Sequence, residues 1–136
     1  MTATTELAWS TELSVGVDAL DAQHRGLIHL INRFGREPIE MEEMAALLEK
    51  VIAYAARHFN DEEDWLLANA PHLLEHQIEC HCRFITQAYE FADRFQCGED
   101  VELRDRVHSF LCDWLQRHIR EEDQRYCPAR RAAGAL

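Results

Sequence analysis

The sequence predicts an all-α protein, an up-down-up-down antiparallel four-helix bundle with an irregular N-terminal arm. Three observations carry that prediction. Only five glycines and three prolines punctuate the 136 residues, which favours long helices over many short strands. Apolar residues recur at steps of three and four through four separate stretches. Short breaks join those stretches, and helices joined by short loops must alternate in direction.

Residues 1–17 are mixed and carry Ser, Thr and Trp9; they read as an arm, with Trp9 packing on the body. The first helix spans about 18–36. Asp18 and Asp21 give it an acidic start, and Leu20, Leu27, Ile31 and Phe34 form its apolar stripe, with His24 in phase. Gly35 and Pro38 end it. The second helix, about 39–70, follows Pro38 with glutamates in its first turns and shows Met44, Leu47, Val51, Ala55, His58, Glu62 and Trp65 on one face. Pro71 stops it. The third, about 72–95, is phased by His81, Phe84, Ala88, Phe91 and Phe95. Cys97-Gly98-Glu99-Asp100 turns the chain into a fourth helix, about 100–123, phased by Val107, Leu111, Trp114 and His118. Residues 124–136 form a C-terminal tail, and 1–136 read as a single domain.

The bulk numbers narrow the function. Hydrophobic residues make up 47% of the chain and charged residues 29%, enough for one core in a soluble protein. The longest apolar runs fall far short of the ~20 residues of a spanning helix, so no membrane insertion is expected. A net charge of −11 argues against nucleic acid and anionic membranes as partners. The N-terminal MTATTELAWSTELSVGV has neither a basic n-region nor an apolar h-region, so a cytoplasmic location is expected. Cys80, Cys82, Cys97, Cys112 and Cys127 are odd in number and include no C-x-x-C. Reduced thiols suit them better than a disulfide framework.

Polar residues fall in unexpected places. His24, His58, Glu62, His81 and His118 all occupy core phase, at least one on each helix. Burying several titratable groups at one level of a bundle is costly unless they pair or bind metal. A lone histidine in an apolar stripe reads as a satisfied core residue, but this many in phase with a carboxylate read as ligands. His58 and Glu62, at i and i+4, share a helical face. Imidazoles with carboxylates suit Fe, Mn or Zn, and the scarcity of in-phase thiols argues against an iron–sulfur cluster.

Three segments in order, SVGVDALDAQH (14–24), HFNDEE (58–63) and WLQRHIREED (114–123), resemble the signatures of the hemerythrin family, in particular its single-domain bacterial members. The resemblance runs from Trp9 to Pro128. It implies a non-heme di-iron centre, two iron ions with an oxo or hydroxo bridge. Five histidines, His24, His58, His76, His81 and His118, would be terminal ligands, and Glu62 and Asp123 would bridge. His76, His81 and His118 would hold the first iron and His24 and His58 the second, whose open position takes dioxygen. Five imidazoles and two carboxylates are too many for one ion and suit two. The family's Asp123 equivalent reaches the bridge from near the helix end, five residues beyond its histidine.

The third helix departs from the family pattern. Relatives carry H-x-x-x-H there, whereas this chain reads HQIECH, with His76 and His81 five apart. In a regular α-helix that spacing leaves the side chains about 140° apart, and Gln77 takes the phase of His81 instead. One extra residue absorbed as a π-bulge would bring both histidines to the metal. The alternatives are a lost ligand, Cys80 in its place, or His72 pairing with His76.

Among the remaining residues, Glu63 suits a hydrogen bond to a ligand, and Glu63 and Asp64 otherwise form a solvated acidic patch. His29, His72 and His108 read as surface histidines. Phe59, Trp114 and Leu115 suit core packing and the lining of a dry pocket. Cys80 and Cys82, beside His81, read as buried thiols, with redox sensitivity near a metal centre as the alternative, and Tyr126-Cys127-Pro128 reads as structural. The resemblance implies reversible dioxygen binding for transport, storage, delivery or sensing, not an enzyme, with room for an oxygen-consuming partner protein. The alternative is a di-iron oxidase or peroxidase, or a protein handling nitric oxide or iron. The Glu-x-x-His pairs of ferritin-like enzymes do not occur at core positions here.

Overall fold

The computed structural model describes residues 6–36, 41–97 and 102–128. Within them the chain is a four-helix bundle: α1 (Asp18–Arg36), α2 (Met41–Asn69), α3 (Leu74–Gln96) and α4 (Glu102–Glu121), with 3-10 turns at Thr11–Leu13, Pro71–Leu73 and Asp123–Tyr126. Among the described residues there is no strand, and no helix is long and apolar enough to cross a membrane. The expected helix starts at 39–40 and 100–101, the arm's residues 1–5 and the tail's 129–136 lie outside the described residues.

Each helix packs on two others, α1 on α2 and α4, and α3 on α2 and α4. The apolar side chains fall into two clusters. The larger contains Leu27, Ile31 and Phe34 of α1, Leu48, Val51 and Ala55 of α2, Phe84 and Ala88 of α3, and Leu111 and Leu115 of α4. The smaller contains Val15, Leu20, Leu66, Ala70 and Tyr126. On every helix the in-phase polar residues lie between the two: His24 between Leu20 and Leu27, Glu62 between Ala55 and Leu66, His81 between Leu74 and Phe84. This level is near the start of α1 and α3 and near the end of α2 and α4, as antiparallel neighbours require.

The arm is tied to the body at several points. Leu7 N–H donates to Asn32 Oδ1 at 2.8 Å, and Asn32 Nδ2 donates to the Leu7 carbonyl at 2.8 Å. Trp9 packs on the larger cluster, as the sequence suggests, and carries the Arg25 guanidinium 5.2 Å from its ring centroid. Asp21 accepts from Val15 N–H at 2.8 Å and Ser14 Oγ–H at 2.6 Å, which joins the arm to the first turn of α1.

Two close approaches depend on glycine. A Cβ at Gly26 would collide with the Tyr54 hydroxyl, which donates to the Gln23 carbonyl at 3.0 Å, and one at Gly35 would collide with the His108 imidazole. His108 is therefore not the surface residue its sequence context suggests: it is buried on α4 against α1, 3.5 Å from Cys112 Sγ. Gly35→Ala is expected to destabilise the protein by about 1–3 kcal/mol, read as a lower thermal midpoint without loss of cation binding.

Candidate metal centre

Six of the seven residues expected at the site meet between the two apolar clusters. His24, His58, Glu62, His81, His118 and Asp123 are each at most 6% exposed. His24 and His58, with ring centroids 4.5 Å apart, form one half; His81 and His118, 5.1 Å apart, form the other. The carboxylates lie between them. Asp123 Oδ2 is 3.3 Å from His24 Nε2, and its Oδ1 is 3.2 Å from His118 Nε2. Glu62 Oε2 is 3.9 Å from His24 Nε2 and 3.8 Å from His58 Nε2, while its Oε1 is 3.0 Å from His81 Nε2. Each carboxylate thus offers one oxygen to each half, a geometry for bridging two ions. Two ligand groups fall out of it, His24–His58–Glu62 and Glu62–His81–His118, each with its donor atoms within 4.8 Å of one another.

Local chain geometry explains how Asp123 arrives. The α-helix ends at Glu121, and the following 3-10 turn begins on Asp123. The change of pitch turns a residue five beyond His118 back towards it.

The hydrogen bonding has the pattern of a cation site. Both His24 nitrogens, Glu62 Oε1, Gln77 Oε1, His81 Nε2, His118 Nε2 and Asp123 Oδ2 are buried with no hydrogen-bond partner. Unpaired buried polar atoms are rare and costly, and here they converge on one place, so the donor set fits metal ions. The outward nitrogens are held. His58 Nδ1 is 2.7 Å from Gln23 Oε1, and His81 Nδ1 is 2.8 Å from Glu63 Oε2. With Nδ1 donating, each ring turns its Nε2 lone pair inward. Tyr126 O–H donates to Glu62 Oε2 at 2.5 Å, and burial first, then the two carboxylates, push its phenol pKa up and keep it a donor. The rings are also braced by stacking, His81 on Phe59 at 3.9 Å and His118 on Trp114 at 4.4 Å.

His76 is not in this cluster. Helix α3 is α-helical throughout Leu74–Gln96, so the expected π-bulge is absent and the five-residue spacing turns His76 outward. Its side chain is 51% exposed and pairs with Glu122 at 3.0 Å. Gln77 takes the inward position one turn before His81, 2% exposed, and its Nε2 donates to Asp123 Oδ1 at 2.9 Å. His72 lies exposed in the Pro71–Leu73 turn, and Cys80 points to the same outer side as His76.

Burial, with His24 next to it, lowers the His58 pKa to about 3, which keeps that imidazole neutral and ready to coordinate. Burial and then the Asp123 charge raise Glu62. Asp123 moves the other way: burial alone would raise it, but His118 and His24 overbalance that and hold it well below the carboxylate range. For His118, burial is outweighed by the Asp123 charge, and its pKa is raised. The raised pKa values of Glu62 and His118 make protons harder to displace from them, and an incoming cation needs both groups deprotonated. Cation affinity is expected to decrease as the pH is lowered, by about tenfold per pH unit for each proton displaced, in calorimetric titrations with Co2+ on either side of neutrality.

Comparison with known proteins agrees with this geometry. The profile of the Hemerythrin HHE cation binding domain matches residues 15–129. The chain is 34% identical to a bacteriohemerythrin of Stenotrophomonas maltophilia, over 88% of this chain and 78% of that one. It is 31% identical to a bacteriohemerythrin of Pseudomonas aeruginosa, over 90% and 80%, and 28% identical to one of Clostridium acetobutylicum, over 87% and 96%. A solved crystal structure of a leucine-to-phenylalanine mutant superposes with a TM-score of 0.80 at 22% identity, covering 90% of this chain and 95% of that one, a likeness of fold. With an inward-facing histidine from each of its four helices and two carboxylates between them, the chain belongs to the hemerythrin HHE cation-binding family.

Proposed function

We propose that this chain holds two iron ions, one in each half of the site, and binds dioxygen reversibly, as a carrier, store or sensor. The observation that carries this reading is the placement of Glu62 and Asp123, each with one oxygen towards each imidazole pair. His24 and His58 would hold one ion and His81 and His118 the other, with both carboxylates bridging. Membership of the hemerythrin family supports the oxygen chemistry. A pair of ferrous ions, when bound, supplies the two electrons that dioxygen takes up.

The protein's part is to position and to exclude. Gln23 and Glu63 fix two imidazoles, Tyr126 fixes one carboxylate and Gln77 the other. Phe59 and Leu115, at most 4% exposed, keep water from the centre. Gln77 stands where the family resemblance places a third imidazole. Its amide N–H holds Asp123, and its Oε1 is buried without a hydrogen-bond partner. The His81–His118 ion would then have one imidazole fewer than the family resemblance implies. That difference favours a second reading, a di-iron oxidase or peroxidase, because the missing imidazole would leave a position open to exchange.

Spectroscopy separates the two. Reduced, iron-loaded protein exposed to air should develop a visible absorption band that disappears on degassing and returns on re-exposure. Irreversible oxidation in the first cycle would favour the oxidase. No oxygen-dependent band, in protein shown to hold iron, would refute both.

A further inference from the structure

The regular course of α3 that removes His76 from the buried centre gives it other neighbours. His76 and Cys80, four residues apart, share an outer face of the helix. Glu122, which follows the last residue of α4, meets them from across the groove. Cys80 Sγ lies 3.6 Å from His76 Nε2, and His76 Nε2 lies 3.0 Å from Glu122 Oε1. The three donor atoms lie within 4.8 Å of one another.

We propose that His76, Cys80 and Glu122 form a second, surface cation site for a divalent ion of the zinc class. Tetrahedral zinc, with Zn–S of about 2.3 Å and Zn–N of about 2.05 Å, separates its sulfur and nitrogen ligands by about 3.6 Å, the spacing already present between Cys80 and His76. The nitrogen–oxygen pair needs only a few tenths of an ångström more. The sulfur donor selects against magnesium and calcium, which take oxygen. Three protein ligands leave the fourth position to solvent. Binding replaces the thiol S–H with an S–metal bond and releases the proton to water, and the ion displaces Arg125, whose Nη1 is 3.4 Å from Glu122 Oε1.

The position gives this site a consequence. Glu122 directly precedes Asp123, so a bound ion would fasten α3 to the turn that carries a bridging carboxylate. Cys80 and Glu122 also line a cavity of about 390 Å³ that includes His118 in its wall. An ion between them would stand at the outer rim of the approach to the buried centre.

The buried donor set contains no sulfur, so thiolate-to-cobalt charge transfer does not report on that centre. Co2+ titration of the full chain should raise a near-ultraviolet charge-transfer band whose final amplitude corresponds to one thiolate–cobalt site per chain and which is bleached by Zn2+. Cys80→Ser should abolish it, and His76→Ala should weaken cobalt binding about tenfold or more. Cys82→Ser and Glu62→Gln should leave it unchanged, the latter because it disrupts only the buried centre. No band in the unaltered protein, or a band that survives Cys80→Ser, would overturn the proposal.

Discussion

Replacing Glu62 with alanine is expected to lower affinity for both cations by more than about 100-fold, since changes at groups merely supporting a ligand already cost about 10–100-fold. Glu62 is fully buried and faces three of the four imidazoles. Its loss leaves Asp123 as the one carboxylate between the two imidazole pairs and leaves the Tyr126 hydroxyl without its acceptor. The metal-free protein should respond differently. A buried carboxylate carries a desolvation cost, and removing it offsets the cavity and the lost hydrogen bond. Metal-free stability is therefore expected to change by less than about 2 kcal/mol. Thermal unfolding with and without iron reads both effects. Equal destabilisation in the two states would mean that Glu62 serves packing and not cation binding.

The second large effect concerns α3. Gln77→His puts an imidazole at the inward position that the family pattern fills with histidine. It is expected to raise affinity for the ion at His81 and His118 by about 10–100-fold, despite breaking the Gln77–Asp123 hydrogen bond. His76→Ala, by contrast, made in the Cys80→Ser background, should leave iron stoichiometry and the oxygen-dependent band unchanged, because His76 faces solvent. Iron titration of the two variants tests the helix phase directly. A loss of buried-centre iron in His76→Ala would show that α3 takes up the extra residue as a bulge when metal binds.

Much of this arrangement was legible because it is periodic. The phase of His24, His58, Glu62, His81 and His118 follows from a helical repeat, and burial follows from phase. The same repeat placed Gln77 inward, although the family pattern argued for His76. Asp123 could be found only through the resemblance, because it lies beyond α4 in a 3-10 turn and no single period reaches it. Gln23 was missed: its bond to His58 joins residues 35 apart in sequence, across two helices. Tyr126 looked like tail packing for the same reason, its partner Glu62 being 64 residues away. His108 misled because its burial depends on the space left by Gly35. Local pattern encodes which face a residue takes, whereas the contacts between faces depend on how the helices are docked.

Two imidazole pairs that share two carboxylates should hold two ions. Anaerobic titration of metal-free protein with Fe2+, followed by metal analysis after desalting, tests it most directly, with the Cys80→Ser variant used to silence the proposed surface site. Two irons should be retained per chain, falling sharply in Glu62→Ala. Retention of one iron or none by a folded protein would rule out a two-ion centre.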